Sequence, residues 1–414
     1  MYKIDPFSYT SFMKNKLACR LMPGGKGRFY MKRWMCVLPL CGVLLWTYHL
    51  PAAAQEAPVS VSAKACILME ASTGEVLFEQ QAEEMLPMAS TTKIMTTLLC
   101  LESGDLDTEF VVDATAIRVE GSSMGLVEGD LVTKRALCYG MLLPSGNDAA
   151  NATAVRLAGS IPAFDDQMNA KAKQLGLTHT HFVTPSGLHD PEHYTTAHDL
   201  ALLAAAAMQN ETFRIICSAS SAKVTFGNPP YDRWLENSNK LLTMCEGVIG
   251  VKTGFTDEAG RCLVSACQRN GITLLCVTLN DRNDWQDHEN LYAYGFQQLQ
   301  PTAVPLPDLE TGIVAGGITD TVPLQLEEDD FSWTVGTRNG TPPDVAWAVE
   351  SAPFFYAPVT NGQQAGTLVG TCNGREAIRI PLVAAQTVPA ASKEQQVSDS
   401  GMQRLLHRIK RILE

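Results

Sequence analysis

The sequence predicts an α+β fold, in which helices pack around one antiparallel sheet, followed by a small all-β domain and a C-terminal amphipathic helix. Strand patterns stand at both ends of the first large segment, 55–300, with helical patterns between them. Segment 301–387 consists of short Val, Thr and Ile runs between glycine and proline turns, and a polar linker, 388–401, separates it from the helix at 402–414. With 45% hydrophobic and 18% charged residues, the 414-residue chain has the composition of a folded globular protein.

The predicted sheet gathers strands from both ends of the first domain. Residues 64–79 contain two apolar runs around a Ser-Thr-Gly turn and predict a β-hairpin. Strands return at 247–253, and Asn270-Gly271 is a strong hairpin turn between two further apolar runs. An aromatic-rich helix closes the domain near residue 300.

Helical patterns fill the chain between these strands, up to about residue 217. One helix stops at Pro144 and an alanine-rich helix resumes at 148–157. Thr196 and Asp199 stand in capping-box spacing ahead of an apolar helix. These helices are expected to cover the sheet.

The N-terminal part has the layout of a secretory signal peptide. Segment 31–54 begins with Lys32 and Arg33, continues with an apolar run and ends in small residues at Ala54. Residues 1–30 fit no targeting pattern and are predicted to be a mis-assigned leader. The alternative is an uncleaved membrane anchor, but the apolar run is short for a span and contains proline and glycine. The sequence therefore predicts an exported protein.

The last thirteen residues form a basic amphipathic pattern. One helical face is apolar and the other carries cations, while the whole chain has a formal net charge of −12. The apolar face comprises Met402, Leu405, Leu406, Ile409, Ile412 and Leu413, and the cations are Arg404, Arg408, Lys410 and Arg411. Adsorption to an anionic membrane surface is favoured over packing on the protein's own domain, because a polar linker precedes the helix. The acidic remainder of the chain argues against binding to nucleic acid.

Cysteine and histidine patterns indicate neither a disulfide framework nor a metal centre. Nine cysteines follow Ala54, an odd number, and most lie in apolar runs that predict buried core thiols. Five histidines cluster between His179 and His198, but their spacing lacks a zinc pattern. No metal and no cofactor are expected.

Ser90 precedes Lys93 by three residues at the predicted start of a helix, in "PMASTTKIMTTLL". Side chains at this spacing can meet, and a lysine held close to another cation and to a helix N-terminus can act as a base. The alternative is a capping hydroxyl followed by a solvated lysine. The same spacing occurs at Ser220 to Lys223, so spacing alone does not decide.

Two further elements accompany this pair. In "LLPSGNDAA", Ser145 and Asn147 project from a turn that Gly146 permits after the proline break. A predicted strand ends in Lys252-Thr253-Gly254, where glycine would let a peptide lie close along the strand edge. Each element alone is better explained as an ordinary turn or strand end. Their joint occurrence in this order is the pattern of penicillin-recognising serine enzymes.

The sequence resembles the low-molecular-weight penicillin-binding proteins, which are serine-type D-alanyl-D-alanine carboxypeptidases of the peptidase S11 type. The likeness covers nearly the whole chain after the signal peptide and includes "YGMLLPSGNDAA", "TPSGLHDPEHYTTAHDLALLA", "NSNKLL" and "VKTGFTDEAGRCLVS". It implies a transpeptidase-like first domain, 55–300, with peptidoglycan stem peptides as substrates and β-lactams as acylating inhibitors. One departure is Arg261, which stands where the family often has an aromatic or apolar residue.

The resemblance also implies roles for individual residues. Ser90 would be the nucleophile, Lys93 its base and Ser145 the residue that passes a proton to the leaving group. The implied substrate-binding residues are Asn147, Lys252, Thr253 and Gly254, and the backbone N–H groups of Ser90 and Phe255 would form the oxyanion hole.

Three other functions share part of this pattern. A D,D-endopeptidase would use identical chemistry on peptidoglycan crosslinks. A class A β-lactamase would need a glutamate four positions before an asparagine, and the chain has no such pair. A non-catalytic wall-binding protein would not need all the reactive side chains. The sequence therefore favours the carboxypeptidase.

Overall fold

The computed structural model describes residues 59–328 and 330–391. The leader 1–30, the signal segment 31–54, most of the linker and the helix at 402–414 lie outside these described residues. The helices are α1 (Lys93–Glu102), α2 (Lys134–Leu142), α3 (Asn147–Ala158), α4 (Ile161–Gln174), α5 (Ala197–Gln209), α6 (Glu211–Ser218), α7 (Leu241–Met244) and α8 (Asp284–Gln298), and a 3-10 turn, Ala89–Thr92, precedes α1.

Strands stand at both ends of the first domain, in two short antiparallel pairs between its helices, and in the described residues after α8. They are β1 (Ala65–Glu70), β2 (Val76–Gln80), β3 (Phe110–Val111), β4 (Leu131–Val132), β5 (Ser221–Gly227), β6 (Pro230–Glu236), β7 (Val248–Thr256), β8 (Gly260–Arg269), β9 (Ile272–Leu279), β10 (Gln300–Val304), β11 (Thr311–Ala315), β12 (Thr321–Leu326), β13 (Trp333–Thr337), β14 (Val345–Glu350), β15 (Phe355–Tyr356), β16 (Gln364–Cys372) and β17 (Arg375–Ala384).

One antiparallel five-stranded sheet joins the two ends of the first domain, as predicted. Its order is β2-β1-β9-β8-β7, and Leu68 of β1 lies opposite Cys276 of β9. The turn between β8 and β9 has positive φ at Asn270 (51°) and Gly271 (80°), which is the geometry of a type I′ hairpin. The β7 strand forms one edge of this sheet.

Helices cover both faces of the sheet. On one face, α1, α2, α3 and α5 enclose the larger apolar core together with β1 and β9, whereas α8 packs on the other face through Leu291 and Tyr292. The predicted cap at α5 is present, because Thr196 Oγ1 accepts a hydrogen bond from the Asp199 amide at 3.0 Å. The α1 helix therefore begins inside the core, beside β7.

The β5–β6 hairpin was not predicted. Its side chains are mostly exposed, so the apolar alternation that identifies a half-buried strand is weak. Lys223, from the second Ser-x-x-Lys pair, lies on β5 and forms a surface ion pair with Asp232 at 2.5 Å. That pair is therefore not at a helix start.

After α8 the described residues contain strands and no α-helix. Strands β14-β16-β17-β12-β11-β15 form a six-stranded sheet, and β10 pairs with β13. The two parts of the chain meet at the β1–β2 turn, where Asn373 Nδ2 donates to Thr73 O at 3.1 Å. Within the described residues, no helix is both long and apolar enough to span a bilayer.

Candidate active site

Ser90 lies on the 3-10 turn that leads into α1. The turn enters through Ala89, whose φ of 48° is in the left-handed region, a conformation of a non-glycine residue that marks local strain. Ser90 does not cap the helix; its Oγ instead accepts a hydrogen bond from Lys93 Nζ at 2.9 Å. The alternative of a capping serine with a solvated lysine is therefore wrong.

Lys93 is fully buried, and three oxygen atoms fix the position of its Nζ. Besides Ser90, Nζ donates to Asn147 Oδ1 at 2.7 Å and to the Ser186 carbonyl at 2.6 Å. Burial lowers the pKa of Lys93 well below its usual value, and the nearby Lys252 charge lowers it further. The Asp148 carboxylate partly opposes both effects, because its negative charge raises the pKa of Lys93. This environment favours the neutral amine, whose two N–H groups suffice for Asn147 and Ser186 while its lone pair faces the Ser90 hydroxyl.

Ser145 is the strained residue of the turn between α2 and α3. Its φ is 65°, in the left-handed region, while Gly146 has φ −58°, an angle that any residue can adopt. Gly146 is required by space instead, because a Cβ there would lie 2.6 Å from Asp148 Oδ1 and 2.9 Å from the Met124 amide nitrogen. No side chain or backbone group in the described ranges hydrogen-bonds to Ser145 Oγ, so it is available to a ligand.

Asn147 begins α3 and connects Lys93 to the loop before β4. Its Nδ2 donates to Glu120 O at 2.7 Å, and its backbone N–H donates to Ser122 O at 2.7 Å. The next residue, Asp148, holds the same loop, because its carboxylate accepts from the backbone amides of residues 124–126 at 2.9 to 3.0 Å. The Asn147 amide is thus fixed from both sides.

Lys252 and Thr253 reach the same region from β7. Lys252 is 1% exposed, burial lowers its pKa to about 7, and its Nζ donates to Thr253 O at 2.8 Å. Thr253 Oγ1 lies 2.7 Å from Ser238 Oγ, in the segment between β6 and α7. Lys252 also lies near Lys93, because its charge lowers the pKa of Lys93.

Gly254 lets β7 press against the turn that carries Ser90. A Cβ at Gly254 would lie 3.1 Å from both Met88 O and Ser90 N. The expected reason for this glycine was close approach of a peptide, and the structure adds close approach of the Ser90 turn itself. Phe255 follows with a side chain that is 63% exposed, at the free edge of the sheet. Such an edge offers unpaired backbone groups to an extended ligand.

Comparison with known proteins identifies the family. The profile of the peptidase S11 family, described as D-alanyl-D-alanine carboxypeptidase, matches residues 51–283. The chain belongs to this family. It is therefore a serine-type D-alanyl-D-alanine carboxypeptidase.

Relatives and solved structures agree with this assignment. The chain is 30% identical to D-alanyl-D-alanine carboxypeptidase DacF of Bacillus subtilis over 87% of this chain and 96% of that protein. It is 32% identical to DacC of Escherichia coli over 80% and 86%. The crystal structure of the Streptomyces K15 DD-transpeptidase superposes with a TM-score of 0.55 at 32% identity, covering 57% of this chain and 99% of that one. The transpeptidase-like fold of the first domain is thereby confirmed.

Sequence reasoning missed two groups at the site of this carboxypeptidase. The Ser186 carbonyl binds Lys93, and the Ser238 hydroxyl binds Thr253. Both lie in stretches that carry the family resemblance, "TPSGLHD" and "NSNKLL", but neither belongs to a motif with assigned chemistry. A main-chain acceptor has no residue-type signal at all.

Arg261, the departure from the family pattern, has a local structural partner. It lies opposite Phe255 in the β7–β8 pair, and its Nη2 donates to both carboxylate oxygens of Asp284, at 2.6 and 2.8 Å. Its guanidinium also lies 5.2 Å from the Trp285 ring centroid. The arginine thus attaches β8 to the start of α8.

The cysteines of the described residues are all buried and unpaired, as most were predicted to be. Burial raises the pKa of Cys217, Cys262 and Cys267 to about 12. These thiols are packing groups.

Proposed function

We propose that this carboxypeptidase works through an acyl-enzyme on Ser90. Ser90 Oγ attacks the carbonyl carbon of the penultimate D-alanine of a peptidoglycan stem pentapeptide, and its proton passes to Lys93 Nζ. The C–N bond then breaks, and the nitrogen of the leaving D-alanine receives a proton through Ser145. Water attacks the Ser90 ester, Oγ recovers a proton, and the shortened peptide leaves.

Other groups of the cleft hold the substrate during these steps. The Lys252 ammonium and Thr253 hydroxyl bind the terminal carboxylate, and Asn147 binds the peptide amide while it orients Lys93. Gly254 leaves room for the peptide at the β7 edge. The N–H groups of Ser90 and Phe255 stabilise the oxyanion, each contributing about 3 kcal/mol to the transition state.

The environment of Lys93 is the observation that supports this mechanism most strongly. A general base must lose its proton at working pH and reach the nucleophile. Lys93 meets both needs, because burial lowers its pKa and its Nζ lies 2.9 Å from Ser90 Oγ. The second lysine keeps positive charge close to the carboxylate of the substrate.

The enzyme is proposed to act outside the cytoplasmic membrane. The signal-peptide pattern of 31–54 supports export with cleavage after Ala54, and the basic amphipathic pattern of 402–414 supports peripheral attachment to an anionic membrane surface. Stem peptides are then the substrates, and β-lactams acylate the same serine.

Release of D-alanine from soluble pentapeptide by the purified full chain tests the mechanism. Ser90→Ala should abolish both release and penicillin labelling. Ser220→Ala is the matched control, because it removes an exposed serine of identical spacing to a lysine just before the β5–β6 hairpin, and it should change neither.

Each possible result has a distinct meaning. Penicillin labelling that survives in Ser90→Ala would disprove the nucleophile assignment. Labelling without release of D-alanine would instead indicate an endopeptidase that requires a crosslinked substrate.

A further inference from the structure

His193 is a buried histidine near the Ser90–Lys93 pair that forms no hydrogen bond to either of these two side chains. It lies in the loop between α4 and α5, is 3% exposed, and packs its ring edgewise on Phe182, with centroids 5.8 Å apart. The mechanism above does not use it. Its two ring nitrogens nevertheless contact segments that hold Ser90 and Lys93.

The hydrogen bonds of His193 fix its tautomer. Nδ1 accepts from the backbone N–H of Val183 at 2.9 Å and of Thr184 at 3.3 Å, so this nitrogen carries no proton. The proton is on Nε2, which lies 2.7 Å from Thr92 Oγ1 and donates to it. Burial lowers the pKa of His193 to about 4, which keeps the ring neutral near pH 7.

The Nε2 side of His193 holds the nucleophile turn. Thr92 is the last residue of the 3-10 turn, and its hydroxyl proton goes to Ala89 O at 2.8 Å. Ala89 is the strained residue that precedes Ser90. The chain His193–Thr92–Ala89 therefore reaches both ends of the turn that aims Ser90.

The Nδ1 side of His193 holds the segment that orients Lys93. Val183 and Thr184 lead into a tight turn, in which Thr184 Oγ1 accepts from the Gly187 amide at 3.1 Å. The carbonyl of Ser186 in this turn accepts from Lys93 Nζ. One imidazole thus fixes the distance between the carbonyl that orients the base and the turn that carries the nucleophile.

We propose that His193 is a positioning residue for the Ser90–Lys93 pair. It acts through the Thr92 hydroxyl on one side and through the Ser186 carbonyl on the other, and it touches no substrate. The proposal rests on the roles assigned to Ser90 and Lys93 above. It predicts a loss in the chemical step with little change in substrate binding, because small displacements of reacting groups cost rate rather than affinity.

The test compares His193→Ala in the full chain with two variants that each restore one side. His193→Asn offers an acceptor near the Nδ1 position, and His193→Gln offers a donor near the Nε2 position. The measurements are kcat and KM for pentapeptide, the limiting rate of acylation by penicillin, and the midpoint of thermal unfolding. His193→Ala should lower kcat and the acylation rate about 10- to 100-fold. KM should stay within about threefold of the wild-type value, and Asn and Gln should each recover part of the rate.

His288→Ala is the matched control for a merely structural effect. His288 is also fully buried and neutral, with hydrogen bonds to Ser265 and Thr278, but it lies between the sheet and α8. The His288→Ala substitution should lower the midpoint of thermal unfolding, while kcat should remain near the wild-type value. Thr92→Val combined with His193→Ala should cost less than the sum of the two single losses, because both act through one hydrogen bond.

Three results would overturn the proposal. They are an unchanged acylation rate in His193→Ala, a rise in KM at constant kcat, and equal loss of kcat in His288→Ala. Failure of the proposed function itself is distinguishable, because it would leave the wild-type chain without penicillin labelling on Ser90.

Discussion

The two faces of the five-stranded sheet bury polar side chains in opposite ways. On the α8 face, Ser265 Oγ binds both His288 Nδ1 at 2.6 Å and the Tyr292 hydroxyl at 2.5 Å, while His288 Nε2 lies 3.0 Å from Thr278 Oγ1. That network is neutral and complete. Around Ser90, by contrast, two lysines are buried, the charge of Lys252 helps to lower the pKa of Lys93, and the Ser145 hydroxyl has no hydrogen-bond partner among the described residues. Buried polar groups stabilise the fold where all of them are hydrogen-bonded. They are available for chemistry where a pKa is shifted or a hydroxyl lacks a partner.

Removing the ability of Lys93 to act as a neutral base should have the largest effect on activity. Lys93→Arg keeps a cation at the site but cannot supply a neutral base, so acylation by penicillin and D-alanine release should fall about 1,000-fold. Penicillin labelling that is quenched at a series of times measures the acylation rate, and the midpoint of thermal unfolding checks that the variant is folded. A loss of less than tenfold in a folded variant would exclude Lys93 as the base.

The two lysines should also give opposite limbs in the pH profile. The proposed mechanism needs Lys93 neutral, so kcat/KM should rise with pH through the lowered pKa of Lys93. The proposed binding of the substrate carboxylate needs Lys252 charged, so kcat/KM of the free enzyme should fall above the pKa of Lys252, which is about 7.

Lys252→Arg separates these limbs, because arginine stays charged. The variant should lose the alkaline limb while the acid limb remains. An alkaline limb that persists in Lys252→Arg would assign it to another group. Steady-state kinetics between pH 5 and pH 10, with buffers of constant ionic strength, provide the measurement.

A smaller effect is expected from the hydroxyl pair of Thr253 and Ser238. Thr253→Val removes the group proposed to bind the substrate carboxylate and should raise KM about tenfold, as expected for one lost hydrogen bond to a charged group. Ser238→Ala leaves Thr253 in place but frees its hydroxyl, so its effect on KM should be weaker. Equal effects of the two variants on KM would mean that Ser238 itself contacts the substrate.

A substitution in the complete network of the α8 face should have the smallest effect on activity and a clear effect on stability. His288→Ala leaves Ser265 and Thr278 short of a partner and should lower the free energy of unfolding by about 2 kcal/mol, with kcat/KM within twofold. Because burial lowers the pKa of His288 from 6.5 to about 3, wild-type stability should fall as pH drops below 6.5, where the unfolded chain takes up a proton first. The variant should show a shallower acid slope in urea unfolding.

Much of this comparison could be predicted from the sequence, because regular elements and reactive side chains leave patterns in it. The β1–β2 hairpin, the Asn270-Gly271 turn and the helix break at Pro144 each depend on local residue types. The Ser90 to Lys93 spacing also indicated a shared helical turn. That prediction agrees with the hydrogen bond between the two side chains.

Other features could not be predicted, because they depend on contacts between distant segments. The Ser186 carbonyl is a main-chain group, and only tertiary packing brings it to Lys93, 93 residues away. The sequence indicated a tight turn that Gly146 permits, but it did not indicate that the positive φ of this turn belongs to Ser145, since glycine is the residue that usually adopts such angles. In the structure, position 146 must be glycine because it packs closely against Asp148 and Met124, and Ser145 adopts the left-handed φ.

The unpaired thiols have a consequence for how the protein matures. Nine cysteines of the described residues are buried without a bridge, so the packed core of this part of the chain needs no covalent crosslink. Folding of this part of the chain therefore requires no oxidase and no disulfide shuffling. This part of the chain can therefore fold in a reducing surrounding as well as in an oxidising one.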